Sequence, residues 1–150
     1  MPTRRFFMIS AAAALLVLPR LVRAAEPEIL SRDGAAIGGY DPVAYFTQGA
    51  PVKGKPAHTV AWRGAEWRFA TAANREAFEA NPEAYAPQYG GYCAYAASKG
   101  AVAPTSPDAW TVHDGKLYLN YSRNVRDIWS EDIPGNIAKA DANWPAPLSK

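Results

Sequence analysis

The sequence predicts an α+β fold, a small single domain in which two β-hairpins pack against several short helices. Residues 58–70 and residues 109–120 each contain two β-rich runs around a glycine turn, which is typical of hairpins. Apolar positions at helical spacing follow the capping residues Thr71 and Ser122. About 125 residues remain after the N-terminal leader described below, enough for one core without disulfides.

In the first half of the chain, we expect a flexible lead-in over residues 26–36 and ordered structure from Ile37 onward. The first hairpin turns at Arg63-Gly64. Thr71 then caps a helix over residues 72–80, and Pro82 suits the first turn of another short helix.

In the second half, the small apolar run at 92–98 predicts a helix whose first turn contains Cys93. Asp114-Gly115 is a strong signal for the second hairpin, in which Trp110, Val112, Leu117 and Leu119 should face the core. Further helices follow. One is capped by Ser122, and the last starts at Pro134-Gly135 and reaches Ala140; we expect an extended C-terminal tail over 146–150.

The first 25 residues predict an export signal. Arg4-Arg5 precedes an apolar run over residues 6–18, which is shorter than the roughly 20 residues that a membrane-spanning helix needs. Small residues offer cleavage after Ala24 or Ala25. We therefore expect a twin-arginine signal peptide over residues 1–25 and a periplasmic mature protein with no stable membrane anchor. The alternative is a general secretory signal with an incidental arginine pair.

Charge argues against nucleic acid as a partner. The chain has 16 basic and 14 acidic side chains, and the leader contains four arginines and no acid, so the mature chain has 12 basic and 14 acidic residues. Its net charge is therefore near −2. The mature protein has no basic excess to attract nucleic acid or an anionic membrane.

Cys93 is the only cysteine, and it would function in a compartment that normally pairs cysteines. A helix start favours the thiolate, which is the form that attacks disulfides and binds metals. The alternative is a small buried cysteine that only fills the core.

With these elements assembled, the chain resembles the YHS-domain family, in particular its secreted branch, which includes proteins described as selenoproteins. The resemblance covers nearly all of residues 37–145. The matching segments are GYDPVAY at 39–45, WRG at 62–64, WRFA at 67–70, AFEANP at 77–82 followed by Tyr85, PQYGGYCA at 87–94, residues 110–120, and ADANWP at 140–145.

The resemblance implies metal handling more than a defined reaction. Metal-associated members carry cysteines before the strands and at the strand-to-helix junction, where this chain has residues 41–44 and 69–71 without cysteine. A metal site with a thiolate ligand in this chain must therefore use Cys93, the only cysteine. In relatives described as selenoproteins, the residue in which selenium replaces sulfur would align with Cys93. The resemblance therefore implies redox or soft-metal chemistry at this position.

Other candidate residues have plainer interpretations beside the functional ones. His58 and His113 are possible copper or zinc ligands, but neither has ligand-type spacing, and surface strand positions are the alternative. Asp41 before Pro42 is read as a turn-forming residue rather than a ligand or base. A final group either lines a pocket over Cys93 or builds the core: Tyr40, Tyr89, Tyr92 and Tyr95.

These observations leave three classes of function open, and in the third the cysteine has no chemical role. The first is copper binding or handling, with Cys93 as soft donor and His113 or His58 assisting. The second is a thiol redox protein with Cys93 as nucleophile and an external thiol as partner. The third is a binding module with a structural cysteine. No hydrolase, kinase or dehydrogenase motif is present in the sequence.

Overall fold

The computed structural model describes Pro19 and residues 25–150. The predicted signal peptide therefore lies almost wholly outside the described residues. The strands are β1 (Ser31–Arg32), β2 (Ala35–Ala36), β3 (Lys55–Trp62), β4 (Ala65–Phe69), β5 (Trp110–His113) and β6 (Lys116–Leu119). The helices are α1 (Pro42–Thr47), α2 (Ala72–Ala80), α3 (Pro82–Tyr85), α4 (Ala94–Ser98), α5 (Arg123–Ser130) and α6 (Ile133–Asn143). No helix in the described part of the chain has the length and hydrophobicity to span a membrane.

Both predicted hairpins are present, which confirms the α+β class. β3 and β4 pair antiparallel, and so do β5 and β6. The turn residues Arg63 and Gly64 have φ values of 49° and 75°, and Asp114 and Gly115 have 49° and 74°. Two successive positive φ values are typical of the type I′ turn, whose twist matches that of the paired strands.

A third hairpin replaces the flexible lead-in expected over residues 26–36. β1 and β2 pair antiparallel around Asp33-Gly34, which again has two positive φ values. Ile29, Ala35 and Ala36 are buried in this segment. The expectation was wrong because strands of two residues are too short to show an alternating pattern, although Asp-Gly is itself a turn signal.

Two clusters of buried side chains form the interior. The larger surrounds Trp67, Phe69 and Phe78 and includes Leu117 and Leu119. A smaller cluster contains Tyr89, Ala94, Ala97, Tyr118, Trp129 and Ala140. β6 serves both clusters because its alternate residues point to opposite faces. Leu117 and Leu119 are buried as predicted, whereas Val112 is exposed.

The helix caps follow the sequence, but the C-terminal end does not. The hydroxyls of Thr71 and Ser122 each accept a hydrogen bond from a first-turn N–H, at 3.1 Å. Residues 146–150, expected to be an extended tail, form a 3₁₀ turn with Leu148 buried. The N–H of Glu26 donates to the Leu148 carbonyl at 2.8 Å, so the two ends of the folded chain lie together.

Candidate functional site around Cys93

A tightly turned loop leads into Cys93. Tyr89, Gly90 and Gly91 all have positive φ, at 57°, 63° and 84°. A Cβ on Gly90 would overlap the carbonyl oxygen of Glu28, and one on Gly91 would come within 2.5 Å of the Ile37 side chain. Only glycine fits at these positions. The positive φ at Tyr89 is uncommon for a residue with a side chain, and such strained backbone often occurs at functional sites.

Cys93 is the N-cap residue of α4, at the helix start that the sequence predicts, but its side chain is only 2% exposed. Its N–H donates to the Ala103 carbonyl at 3.0 Å. The sulfur accepts the N–H of Tyr121 at 3.3 Å, and it lies 3.5 Å from Oδ1 of Asn120. In the thiol form, Cys93 therefore donates to Asn120 and accepts from Tyr121.

Asn120 is the second member of this site, and sequence analysis did not identify it. It is fully buried, and its Oδ1 also accepts the N–H of Tyr95 at 3.0 Å, which caps α4 in place of a side chain of its own. That bond fixes which end of the amide is the oxygen. Its Nδ2 is buried without a hydrogen-bond partner among the described residues. A buried amide donor without a partner lowers the stability of the fold by about 1–3 kcal/mol. Such a group in a native structure needs an explanation, and a functional role is one.

The two histidines lie on different hairpins and do not contact Cys93 through any described hydrogen bond. His58 lies in β3, and His113, at the end of β5, has its Nε2 3.3 Å from Oδ2 of Asp114. Within residues 25–150, no group of three or more His, Cys, Asp or Glu side chains is arranged to hold a metal ion.

Asp41 acts as a structural link. It is fully buried, and Oδ1 accepts the N–H groups of Val43 and Ala44, which caps α1. Oδ2 accepts the N–H of Ala70 at 2.9 Å and Nδ2 of Asn74 at 2.8 Å. The carboxylate therefore joins the start of α1 to the junction of β4 and α2. These are the two places where the resemblance implies cysteines in metal-associated members.

The four tyrosines do not form one pocket over Cys93. Tyr40, Tyr89 and Tyr92 line three separate cavities, and Cys93 lines none of these three. Tyr89 donates to Asp141 at 2.9 Å and Tyr92 donates to the Pro27 carbonyl at 2.7 Å. Burial raises the pKa of both phenols, and for Tyr89 the hydrogen bond to Asp141 adds to the effect.

Comparison with known proteins adds no family to this picture: no protein-family model matches the chain, and neither the curated proteins nor the solved structures contain a significant match. The resemblance to YHS domains therefore stays a prediction.

Proposed function

We propose that the mature protein is an exported thiol redox protein in which Cys93 is the nucleophile and an external thiol completes the cycle. The observation that carries the proposal is the buried pair of Cys93 and Asn120. The sulfur already accepts one N–H, from Tyr121, and an unused amide donor belongs to the same Asn120 side chain that the sulfur contacts.

The first step oxidises the sulfur. The Cys93 thiolate attacks a peroxide oxygen, an S–O bond forms as the O–O bond breaks, and the leaving hydroxide takes up a proton to become water. Sulfur loses the two electrons that the peroxide gains. The Tyr121 N–H stabilises the thiolate, and the new sulfenic oxygen supplies an acceptor of the kind that Asn120 Nδ2 lacks.

An external thiol must return the sulfur to its starting state, because Cys93 is the only cysteine. One thiol attacks the sulfenic sulfur, which releases water and leaves a mixed disulfide. A second thiol attacks that disulfide, so Cys93 leaves as a thiol and the two external thiols leave as a disulfide. The same chemistry agrees with the resemblance to proteins described as selenoproteins.

The sulfur is buried, so a reagent reaches it only when the chain beside it opens. Tyr121, whose N–H contacts the sulfur, has a side chain that is 56% exposed. Our proposal requires the chain at 120–121 to open transiently and admit peroxide. We therefore expect slow but complete reaction in the native state.

We expect mild peroxide to add one oxygen atom to native mature protein, in a form that dimedone traps and added thiol reverses. Mass spectrometry measures the change cleanly, because the only methionines, Met1 and Met8, belong to the predicted leader. Cys93→Ser is the matched control and should gain no oxygen. A thiol reagent that labels Cys93 only after denaturation would contradict the redox proposal and favour a structural cysteine.

Copper binding through Cys93 is the second proposal. It has weaker support, because the groups beside the sulfur are the amide oxygen of Asn120 and the backbone N–H of Tyr121, and neither is a soft metal ligand. Cu(I) prefers soft sulfur ligands and accepts imidazole. Competition between native protein and a Cu(I) chelator, repeated with Cys93→Ser, measures this on the same pair of proteins.

Export is part of the proposal, and its test is separate. We expect periplasmic protein to begin at Ala25 or Glu26, which N-terminal sequencing reads directly. Ala25 and Glu26 are exposed, while Ile29 is buried, so cleavage at either site leaves the fold intact. Replacing Arg4 and Arg5 by lysine should block export by the twin-arginine route, and unchanged export would indicate the general secretory route.

A further inference from the structure

A cleft of about 550 Å³ lies between the β3–β4 hairpin and the C-terminal end of α6, and Cys93 is not among its lining residues. Its volume is within the range of about 300–1,000 Å³ that small-ligand sites occupy. Tyr89 and Gly90 line it, so the tightly turned loop described above forms part of its wall. Close packing of Gly90 against Glu28 fixes that wall in place.

On one side of the cleft, the protein's own Arg63 supplies a cation that lies against an aromatic ring and two carboxylates. The Arg63 guanidinium lies 4.3 Å from the centre of the Trp62 ring. The same guanidinium lies 2.9 Å from Glu83 and 3.6 Å from Glu28. An aromatic face together with carboxylates is a favourable environment for a guanidinium.

The other side also has a carboxylate beside aromatic rings, but no Lys or Arg side chain pairs with that carboxylate in residues 25–150. Asp141 accepts a hydrogen bond from the Tyr89 hydroxyl, and the Tyr89 and Trp144 rings meet edge to face with centroids 5.7 Å apart. The high pKa of Tyr89 keeps its hydroxyl protonated, so the phenol remains a donor to Asp141. Within residues 25–150, Asp141 forms no salt bridge and its Oδ2 accepts no hydrogen bond.

The charges of the cleft favour a positive ligand. Glu28, Glu83 and Asp141 line it against the single guanidinium of Arg63, so the lining has two negative charges in excess. Within residues 25–150, no group of three His, Cys, Asp or Glu side chains is arranged to hold a metal ion, and the cleft carboxylates are no exception. The aromatic rings suit an organic cation better than a hydrated metal ion.

We propose that this cleft binds a small organic cation with N–H donors, an alkylammonium or alkylguanidinium, whose charged group pairs with Asp141 beside the rings of Tyr89 and Trp144. The alkyl part packs along the aromatic wall. This binding activity is separate from the chemistry of Cys93 and goes beyond the proposed redox function.

The test is a titration of the mature protein with butylguanidinium, butylammonium and, as the opposite charge, butyrate. The indole N–H signals of Trp62 and Trp144 in the NMR spectrum report occupancy of the cleft, and Trp62→Phe and Trp144→Phe each assign one of them. We expect both cations to shift these signals in a saturable way that weakens with salt, and butyrate to have no effect. Asp141→Asn should weaken binding about tenfold or more, while its amide oxygen still accepts from Tyr89.

Asp127→Asn is the matched control, because it removes one negative charge from an exposed position on α5, away from the cleft. It should bind like the unchanged protein, and so should Cys93→Ser. Equal affinity of Asp141→Asn and Asp127→Asn would overturn the proposal. So would equal binding of butyrate, or no shift up to about 10 mM cation, where a 1 mM site is already largely filled. Failure of the Cys93 experiments alone would leave this proposal standing.

Discussion

Asp41→Ala is expected to destabilise the domain by about 4 kcal/mol, a large part of the roughly 5–15 kcal/mol that holds a small domain folded. Removal of the carboxylate leaves the first-turn N–H groups of α1, the Ala70 N–H and the Asn74 amide without their acceptor. The helix cap alone is worth about 1 kcal/mol, and the remaining loss comes from the buried donors at the β4–α2 junction. Urea denaturation followed by tryptophan fluorescence measures the change.

Asp41→Asn separates charge from shape. The amide keeps one oxygen for the N–H groups of α1, but its NH₂ then faces the Ala70 N–H and the Asn74 amide, so donor meets donor. We expect a loss of about 2–3 kcal/mol. Asp127→Asn, whose side chain is 70% exposed, should change the free energy of unfolding by less than about 0.5 kcal/mol. If Asp41→Asn also lowers the free energy of unfolding by less than about 0.5 kcal/mol, water replaces the carboxylate without cost.

Asp41 connects the two segments at which the resemblance to YHS domains implies cysteines in metal-associated members. The resemblance implies thiolates at the start of α1 and at the strand-to-helix junction, where a metal would join the two segments. In this chain, one carboxylate joins the same two segments through four hydrogen bonds. These four hydrogen bonds therefore connect the start of α1 to the β4–α2 junction in this chain.

The fold was predictable where the sequence contains local signals. Glycine turns at 63–64 and 114–115 and the caps at Thr71 and Ser122 each act within a few residues, so their structures follow from the chain alone. The third hairpin was missed because its two-residue strands are too short to show an alternating pattern, and the buried C-terminal turn was missed because it depends on a distant partner. Leu30 donates to the Gly90 carbonyl, and the Leu148 carbonyl accepts from Glu26.

The candidate site was predictable only in part, for the same reason. Cys93 could be placed at a helix start from its neighbours, but its partner Asn120 lies 27 residues away. A single asparagine after an apolar strand has many ordinary interpretations, and no local pattern connects it to the cysteine. The burial of the thiol and its hydrogen bonds likewise depend on how the start of α4 lies against Asn120 and Tyr121, the residues that follow β6.

Gly90→Ala is expected to cost about 3 kcal/mol or more, because two separate effects add. The φ of 63° costs any residue with a Cβ about 1 kcal/mol, and the new Cβ would overlap the Glu28 carbonyl oxygen. Movement of residues 28–30 to relieve the overlap would break the hydrogen bond from Leu30 N–H to the Gly90 carbonyl. The cleft and the segment leading into Cys93 would both shift. Urea denaturation measures the cost, and thiol labelling of native protein measures the effect on Cys93.

Gly64→Ala is the control that isolates the backbone term. Gly64 has a similar φ of 75°, but nothing lies within 4 Å of the position where its Cβ would stand. It should therefore cost only about 1 kcal/mol and leave thiol labelling unchanged. Equal costs for the two variants would mean that residues 28–30 move aside freely and that the wall of the cleft is not fixed. A larger cost at Gly90, together with faster labelling of Cys93, would show that the tightly turned loop positions the cleft and shields the thiol at the same time.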